Sequence, residues 1–222
     1  MKKITIAIDG PAAAGKSTVA KKVAQALGYT YIDTGAMYRA FTYYVMKKGL
    51  DPKDEAASTS LVPEVDIELL NDGRVICCGE DVSKVIREPQ VSANVSYIAS
   101  YKDIRLALVE LQRKMAQRRS VVMDGRDIGT YVLPNADVKI FQIADVPTRA
   151  VRRYEENLSK GINCTLAEVE EDVRRRDYID SHRDFAPLKP AADSVLLDTS
   201  FLSIEEAVEA VLNIIKRKIG EV

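Results

Sequence analysis

The sequence predicts an α/β protein built on a doubly wound parallel sheet of about five strands, with a small β-rich insertion and a helical segment late in the chain. Three observations predict it. Short runs rich in apolar residues alternate with segments of helical periodicity. A glycine-rich turn joins the first such run to the first helix, and residues 66–91 break the alternation with strand-like patterning around a turn signal. At 222 residues, 46% hydrophobic and 29% charged, the chain is read as one domain, 1–222, with a core of ordinary size.

Each element has its own signal. Residues 4–8 are β-branched and end in the turn marker Asp9-Gly10. Residues 16–27 place Val19, Val23 and Leu27 at helical spacing, and Gly28 stops that helix. Residues 29–32 read as a second strand, after which a helix opens at Asp33-Thr34-Gly35 and runs towards Lys48. Residues 121–123, 138–143 and 195–197 complete the sheet as buried parallel strands. Tyr97, Tyr101, Ile104, Leu108, Leu111 and Met115 predict one face of a single long helix. Thr165 with Glu168, and Ser203 with Glu206, are capping-box starts; Val208, Val211, Leu212 and Ile215 then stripe the last helix. Asp66 to Gly79, turning at Asn71-Asp72-Gly73, predicts a β-hairpin inside an insertion placed at 62–95.

Composition removes several kinds of function. Lys plus Arg is 32 and Asp plus Glu is 33, a net charge of −1, which argues against a nucleic-acid coat or a membrane-surface protein. No apolar run approaches the roughly 20 residues a spanning helix needs. The start, Met1-Lys2-Lys3, is charged too early for a signal peptide, so a cytoplasmic protein is expected. Cys77, Cys78 and Cys164 cannot pair off, and His182 is the only histidine. Ser-His, Cys-His and His-ligated metal chemistry are therefore disfavoured.

The strongest motif is Gly10-Pro11-Ala12-Ala13-Ala14-Gly15-Lys16-Ser17-Thr18, a complete G-x-x-x-x-G-K-[ST] between a predicted strand and a predicted helix. Its glycines let backbone N–H groups converge on a phosphate, and the helix start adds its positive end. Lys16 is expected to reach the β- and γ-phosphates of a nucleotide, and the Ser17 hydroxyl to hold Mg²⁺. An Asn-Lys-x-Asp guanine reader and an Asp-x-x-Gly switch are both missing from the chain, which leaves a small phosphotransferase ahead of a GTPase switch.

Two further motifs belong with the loop. Asp33-Thr34-Gly35-Ala36-Met37-Tyr38-Arg39 opens a helix after the second strand, and loops at that end of a doubly wound sheet share one crevice. Taken alone it would read as an ordinary helix cap. Asp124-Gly125-Arg126-Asp127 follows the third strand in the sheet's reading; an acid in that place suits Mg²⁺, held through water. Arg149, Arg152, Arg153, Arg174, Arg175, Arg176 and Arg183 bracket a glycine-containing turn at Lys160-Gly161. Guanidinium forks suit a transferring phosphoryl group, so residues 148–183 are expected to form a lid. Solvated ion pairs account for most of these arginines individually.

The motifs at 10–18, 33–39 and 124–127, with Asp180-Ser181-His182-Arg183-Asp184-Phe185-Ala186-Pro187-Leu188 as the fourth in order, resemble the bacterial cytidylate kinase family of P-loop nucleoside monophosphate kinases over nearly the whole chain. The resemblance implies transfer of the γ-phosphate of ATP to CMP or dCMP, with Mg²⁺, by a monomer without nucleic-acid or membrane partners. It implies that Thr34, Tyr38 and Arg39 lie at the monophosphate, and that Ser96, Arg105 and Asp127 contact cytosine. Arg126 matches a phosphate contact; Arg176, Asp180 and Arg183 match positions near ribose and phosphates. Lys16, Arg126, Arg176 and Arg183 are the implied catalytic cations. Thr34 stands where some members have Ser. The 62–95 insertion resembles the family's monophosphate-binding insert. From the residues alone, a kinase for another acceptor, such as UMP or shikimate, and a nucleotide-dependent regulatory protein both remain open.

Overall fold

In the computed structural model, which describes residues 3–70 and 72–220, β1 (Thr5–Asp9), α1 (Lys16–Leu27), β2 (Thr30–Asp33) and α2 (Thr34–Lys47) follow one another in two tight βα units. Met1, Lys2 and Asn71, which figured in the expectations above, lie outside the described residues. α1 ends where predicted, at Gly28, whose φ of 66° lets its N–H reach back to the Ala24 and Gln25 carbonyls. Asp33 caps α2 by accepting from Ala36 N at 2.8 Å.

A short helix α3 (Glu55–Ser60) leads to a three-stranded antiparallel sheet of β3 (Ile67–Leu69), β4 (Val75–Cys77) and β5 (Glu80–Asp81). The sequence signalled two of these strands. The third is two residues long, joined through Cys78 and Gly79, both at positive φ, and so too short to show a period. Ile67, Val75 and Cys77 point inward against Met37, Phe41 and Ile104, so the small sheet shares one core with α2.

The stripe from Tyr97 to Met115 is not one helix. α4 (Pro89–Ile98) and α5 (Lys102–Ala116) are separated at Ala99-Ser100-Tyr101. Tyr101 is extended, at φ −75° and ψ 120°, and its hydroxyl donates to Pro52 O at 3.0 Å, while Ser100 Oγ bonds Tyr97 O at 2.6 Å. Side-chain bonds have displaced the helical ladder without disturbing the apolar spacing, which is why periodicity missed the break.

β6 (Val121–Gly125), a π-helical turn at Ile128–Val132, β7 (Val138–Ile143), α6 (Val146–Ser159), α7 (Leu166–His182), β8 (Val195–Asp198) and α8 (Ile204–Ile219) complete the chain. The main sheet is parallel throughout, in the order β2-β6-β1-β7-β8. The doubly wound expectation of five strands therefore stands, and both capping boxes form. Two details differ from a uniformly buried sheet. β8 is an edge strand with Leu196 exposed, and β7 carries Lys139 and Gln142, both buried and hydrogen-bonded. Among the described residues, no helix is long and apolar enough to cross a membrane.

Candidate active site

The phosphate loop is built by tight backbone packing. Gly10, at φ 151°, lies so close to β7 that a Cβ there would stand 1.9 Å from Gln142 O. No other residue fits. Gly15, at φ 84°, is the N-cap of α1, so the first free N–H groups of that helix open onto the loop. The loop is held from outside: Gln142 Nε2 donates to Ala14 O at 2.7 Å and Arg149 Nη1 to Ala12 O at 3.0 Å. Lys16 is buried, with Nζ 2.6 Å from Pro11 O. Burial, and then the charge of Arg126, drive its ammonium well below the usual lysine range.

Beside the loop, Asp124 ends the apolar run of β6. Its carboxylate accepts from Ser17 Oγ and from Tyr31 OH, each at 2.8 Å, and its carbonyl accepts from Thr34 Oγ1 at 2.7 Å. Burial and the nearby Asp33 push its pKa up to about 6, against the opposing pull of Lys16 and the two hydroxyls. Gly125 is required here, since a Cβ would meet Ile128 Cδ1 at 2.6 Å and Thr34 Oγ1 at 2.8 Å.

Across the cleft stands a group of arginines from three helices and the turn after β6: Arg39 of α2, Arg126 of the turn, Arg153 of α6 and Arg176 of α7. Arg126 Nε pairs with Asp180 Oδ2 at 2.8 Å. Burial raises the Asp180 pKa, but Arg126, Arg183 and Arg176 more than offset it and hold the carboxylate low. Burial first pulls Arg39 down to about 10, against the attraction of Asp33, and Arg176 down to about 9, and repulsion from the neighbouring arginines adds to it in both. Among the described residues neither side chain makes a hydrogen bond or ion pair, and the Arg176 Nε is buried without a partner. Such a cluster calls for an anion.

The far end is a second network. Arg105, 1% exposed, donates from Nη1 to Ala99 O at 2.9 Å and from Nη2 to Asp127. Arg183 reaches the other Asp127 oxygen at 3.3 Å and the same Ala99 carbonyl at 3.3 Å; its Nε donates to Ala186 O at 2.9 Å. The break between α4 and α5 supplies this site, because it leaves the Ala99 carbonyl free for two guanidinium groups. Ser96 is buried at the same end. The Tyr38 ring lies 5.4 Å from the Arg105 guanidinium, its hydroxyl turned into the interior and pushed up to about 12 by burial.

One cleft of about 740 Å³ connects loop, arginine cluster and far network. The cytidylate kinase family model matches residues 6–217. The cytidylate kinase of Bacillus licheniformis is 52% identical over 221 residues, covering 98% of each chain. The chain belongs to the cytidylate kinase family. The cytidylate kinase of Geobacillus kaustophilus agrees, at 50% identity over 222 residues and 99% of each chain. Among solved structures, an uncharacterized protein from Eubacterium ventriosum aligns with a TM-score of 0.55 at 16% identity, over 97% of this chain and 99% of its own. A gluconokinase from Sinorhizobium meliloti aligns with a TM-score of 0.51 at 13% identity, over 97% and 94%. These two share the fold.

Within this family member, the expected residues converge. Ala13 to Thr18, Thr34, Tyr38, Arg39, Ser96, Arg105, Arg126, Asp127, Arg176, Asp180 and Arg183 all line the cleft; Gly10, Pro11 and Ala12 form the root of the loop. The arginines of 149–183 divide. Arg152, Arg153, Arg176 and Arg183 face the cleft, whereas Arg149 is a buried brace to Asp177 at 2.7 Å. Arg174 pairs with Glu170 at 2.6 Å and Arg175 with Asp172, both on the surface of α7. Sequence reading missed Gln142, Thr199, Leu202, Ile204 and Ala207, which wall the cleft beside α1. One signal could have found Thr199: it follows a sheet strand at its C-terminal end, where such folds gather their ligands.

Proposed function

We propose that the chain transfers the γ-phosphate of ATP to CMP or dCMP, yielding ADP and CDP or dCDP. The observation that carries this reading is the single cleft joining the phosphate loop to the unpaired Arg39 and Arg176 and, beyond them, to Ser96, Arg105 and Asp127. That order matches a donor triphosphate, an acceptor monophosphate and a base. Cytosine offers an amino donor to Asp127 and acceptors to Ser96 and Arg105. The residues 62–95 serve as the acceptor-binding insert, and Arg87 within them pairs with Asp33 at 3.3 Å beside the cleft.

The donor set fits Mg²⁺. Ser17 Oγ and the Asp124 carboxylate are hard oxygen donors, and among the described residues no group of three or more His, Cys, Asp or Glu side chains could hold a metal. A cation here would complete its shell from phosphate oxygens and water, as Mg²⁺ does. When bound it supplies charge neutralisation to the transferring phosphates. Lys16, Arg126 and Arg176 neutralise the remaining charge, and the acceptor monophosphate, already anionic, needs no general base.

The lid reading narrows to the tips of α6 and α7. Arg149 ties the start of α6 to Ala12, and Arg126–Asp180 together with Arg183–Asp127 tie the end of α7. Closure by the part between them, bearing Arg153 and Lys160, would exclude water from the phosphates. The chain acts in this reading as a cytoplasmic monomer on free nucleotides, and its net charge of −1 gives no basis for a nucleic-acid partner. A coupled ADP-release assay with CMP, dCMP, UMP and shikimate tests the proposal. CMP and dCMP are expected to give the highest kcat/KM; no ADP release with either would overturn it.

A further inference from the structure

Asp9 is a buried carboxylate that the transfer chemistry leaves without a task. It ends β1, immediately before Gly10 of the phosphate loop, is 4% exposed and does not line the cleft. Its two oxygens accept from consecutive backbone N–H groups: Oδ1 from Ile128 at 2.8 Å and Oδ2 from Gly129 at 2.7 Å. These are the first two N–H groups of the π-helical turn Ile128–Val132, whose N-cap is Asp127. From the other side, the Asp127 carbonyl accepts from Tyr131 N at 2.8 Å and Val132 N at 3.1 Å. The turn is a rare conformation that needs outside support, and short π segments recur at functional sites. Here the support is a carboxylate serving as a bidentate cap.

We infer that Asp9 is a positioning residue for acceptor selectivity: it fixes the turn that aims the Asp127 carboxylate, and with it Arg105 and Arg183, at the base. The inference rests on the reading of Asp127 as the group that meets cytosine. The approach is tight by design of the sequence. A Cβ on Gly129 would stand 3.1 Å from Lys139 Cδ and 3.4 Å from Asp9 Oδ2, and Lys139 cannot withdraw freely because it bonds Pro134 O and Asp193. The same residue thus anchors the root of the donor loop and the base-facing turn, which sets their separation.

Two variants test this from opposite sides of the contact. Asp9→Asn keeps the shape but turns one acceptor into an NH₂ facing a backbone N–H, and Gly129→Ala pushes the turn away from an intact Asp9. Each is expected to lower kcat/KM for CMP about tenfold or more, and to narrow CMP-over-UMP discrimination by a similar factor, with KM for ATP changed less than about twofold. A purely structural role would lower both substrates' efficiencies together without altering their ratio. Asp127→Asn is the control. Discrimination kept in both variants but lost in Asp127→Asn overturns this inference alone. Discrimination kept in all three overturns the Asp127 reading and this inference with it. Should Asp9→Asn fail to fold, Gly129→Ala decides by the same ratio.

Discussion

The Ser17 hydroxyl donates to Asp124 Oδ2 at 2.8 Å, linking the first turn of α1 to the end of β6. With Tyr31 on the other carboxylate oxygen, Asp124 is aimed at the loop by two hydroxyls and held in a buried place that opposes its charge. A carboxylate kept ionised at such a cost is suited to a cation and its phosphates. Asp124→Asn is expected to lower kcat about a hundredfold or more and to raise the Mg²⁺ concentration needed for half-maximal rate. Because the native carboxylate's pKa is raised to about 6, its charge weakens the fold at neutral pH, so the variant's melting temperature should not fall. A variant with normal kcat and normal Mg²⁺ dependence would remove Asp124 from the site.

Lys16 is buried and repelled by Arg126, the pull of Asp124, Asp9 and Asp180 does not offset this, and its hydrogen-bond partner Pro11 O is neutral. Its ammonium therefore gains most when several phosphate oxygens arrive together. Lys16→Ala is expected to fold normally and lose about 3–4 kcal/mol of transition-state stabilisation, a factor of hundreds to a thousand in kcat. Retention of more than about a tenth of the parent kcat, measured at saturating ATP and CMP, would contradict that role.

How far the sequence reaches is clear from particular residues. The strand–loop–helix signal of Gly10 to Thr18 is local, and local backbone chemistry decides it, so it was legible in full. The doubly wound sheet was legible because each strand is flanked by helices of clear period. The break at Ala99-Ser100-Tyr101 was not, because it depends on Tyr101 reaching Pro52 and on two arginines claiming Ala99 O from distant positions. For the same reason sequence reasoning could place Asp9 only in a turn. Its partners Ile128 and Gly129 lie far along the chain and are backbone groups, which carry no residue signature. The seven clustered arginines looked alike in sequence; only packing separates the brace Arg149 from the cleft-facing Arg176.

Asp9 also predicts a pH dependence of stability. Burial outweighs the two N–H bonds, and with a small repulsion from Asp127 and attraction to Lys16 its pKa is raised from 3.8 to about 7. The folded state then binds the proton more tightly than the unfolded chain. Stability from this group is highest at low pH, falls as pH rises from about 4 to about 7, and is flat above that. The whole change is at most on the order of 4 kcal/mol. Asp9→Asn lacks the titration, so its stability relative to the parent should rise between pH 5 and pH 7.5. Asp124 titrates in both proteins and cancels in the comparison. Urea unfolding at the two pH values measures it, and a difference independent of pH would show that Asp9 stays ionised in the fold.

Arg183 offers the sharpest separation of roles. The motif pattern allowed it to act on the phosphates in a closed state, but each of its guanidinium nitrogens already has a partner at the far end of the cleft: Ala186 O, Ala99 O and Asp127. To reach a phosphoryl group it would have to leave buried hydrogen bonds unpaired, a cost of about 1–3 kcal/mol for each group left unsatisfied. The geometry therefore favours a contribution to acceptor binding through Asp127. Arg183→Ala is expected to raise KM for CMP about tenfold or more and to relax CMP-over-UMP discrimination. KM for ATP should stay within about twofold, because the donor side of the cleft is untouched. Asp127 keeps Arg105 in the variant, so the site should still assemble. Steady-state kinetics in both substrates, with single-turnover rates at saturation, decide the matter. A hundredfold loss of the single-turnover rate with unchanged KM for CMP would place Arg183 on the transferring phosphate instead, and would make its contacts with Ala99 and Ala186 features of an open state that closure breaks.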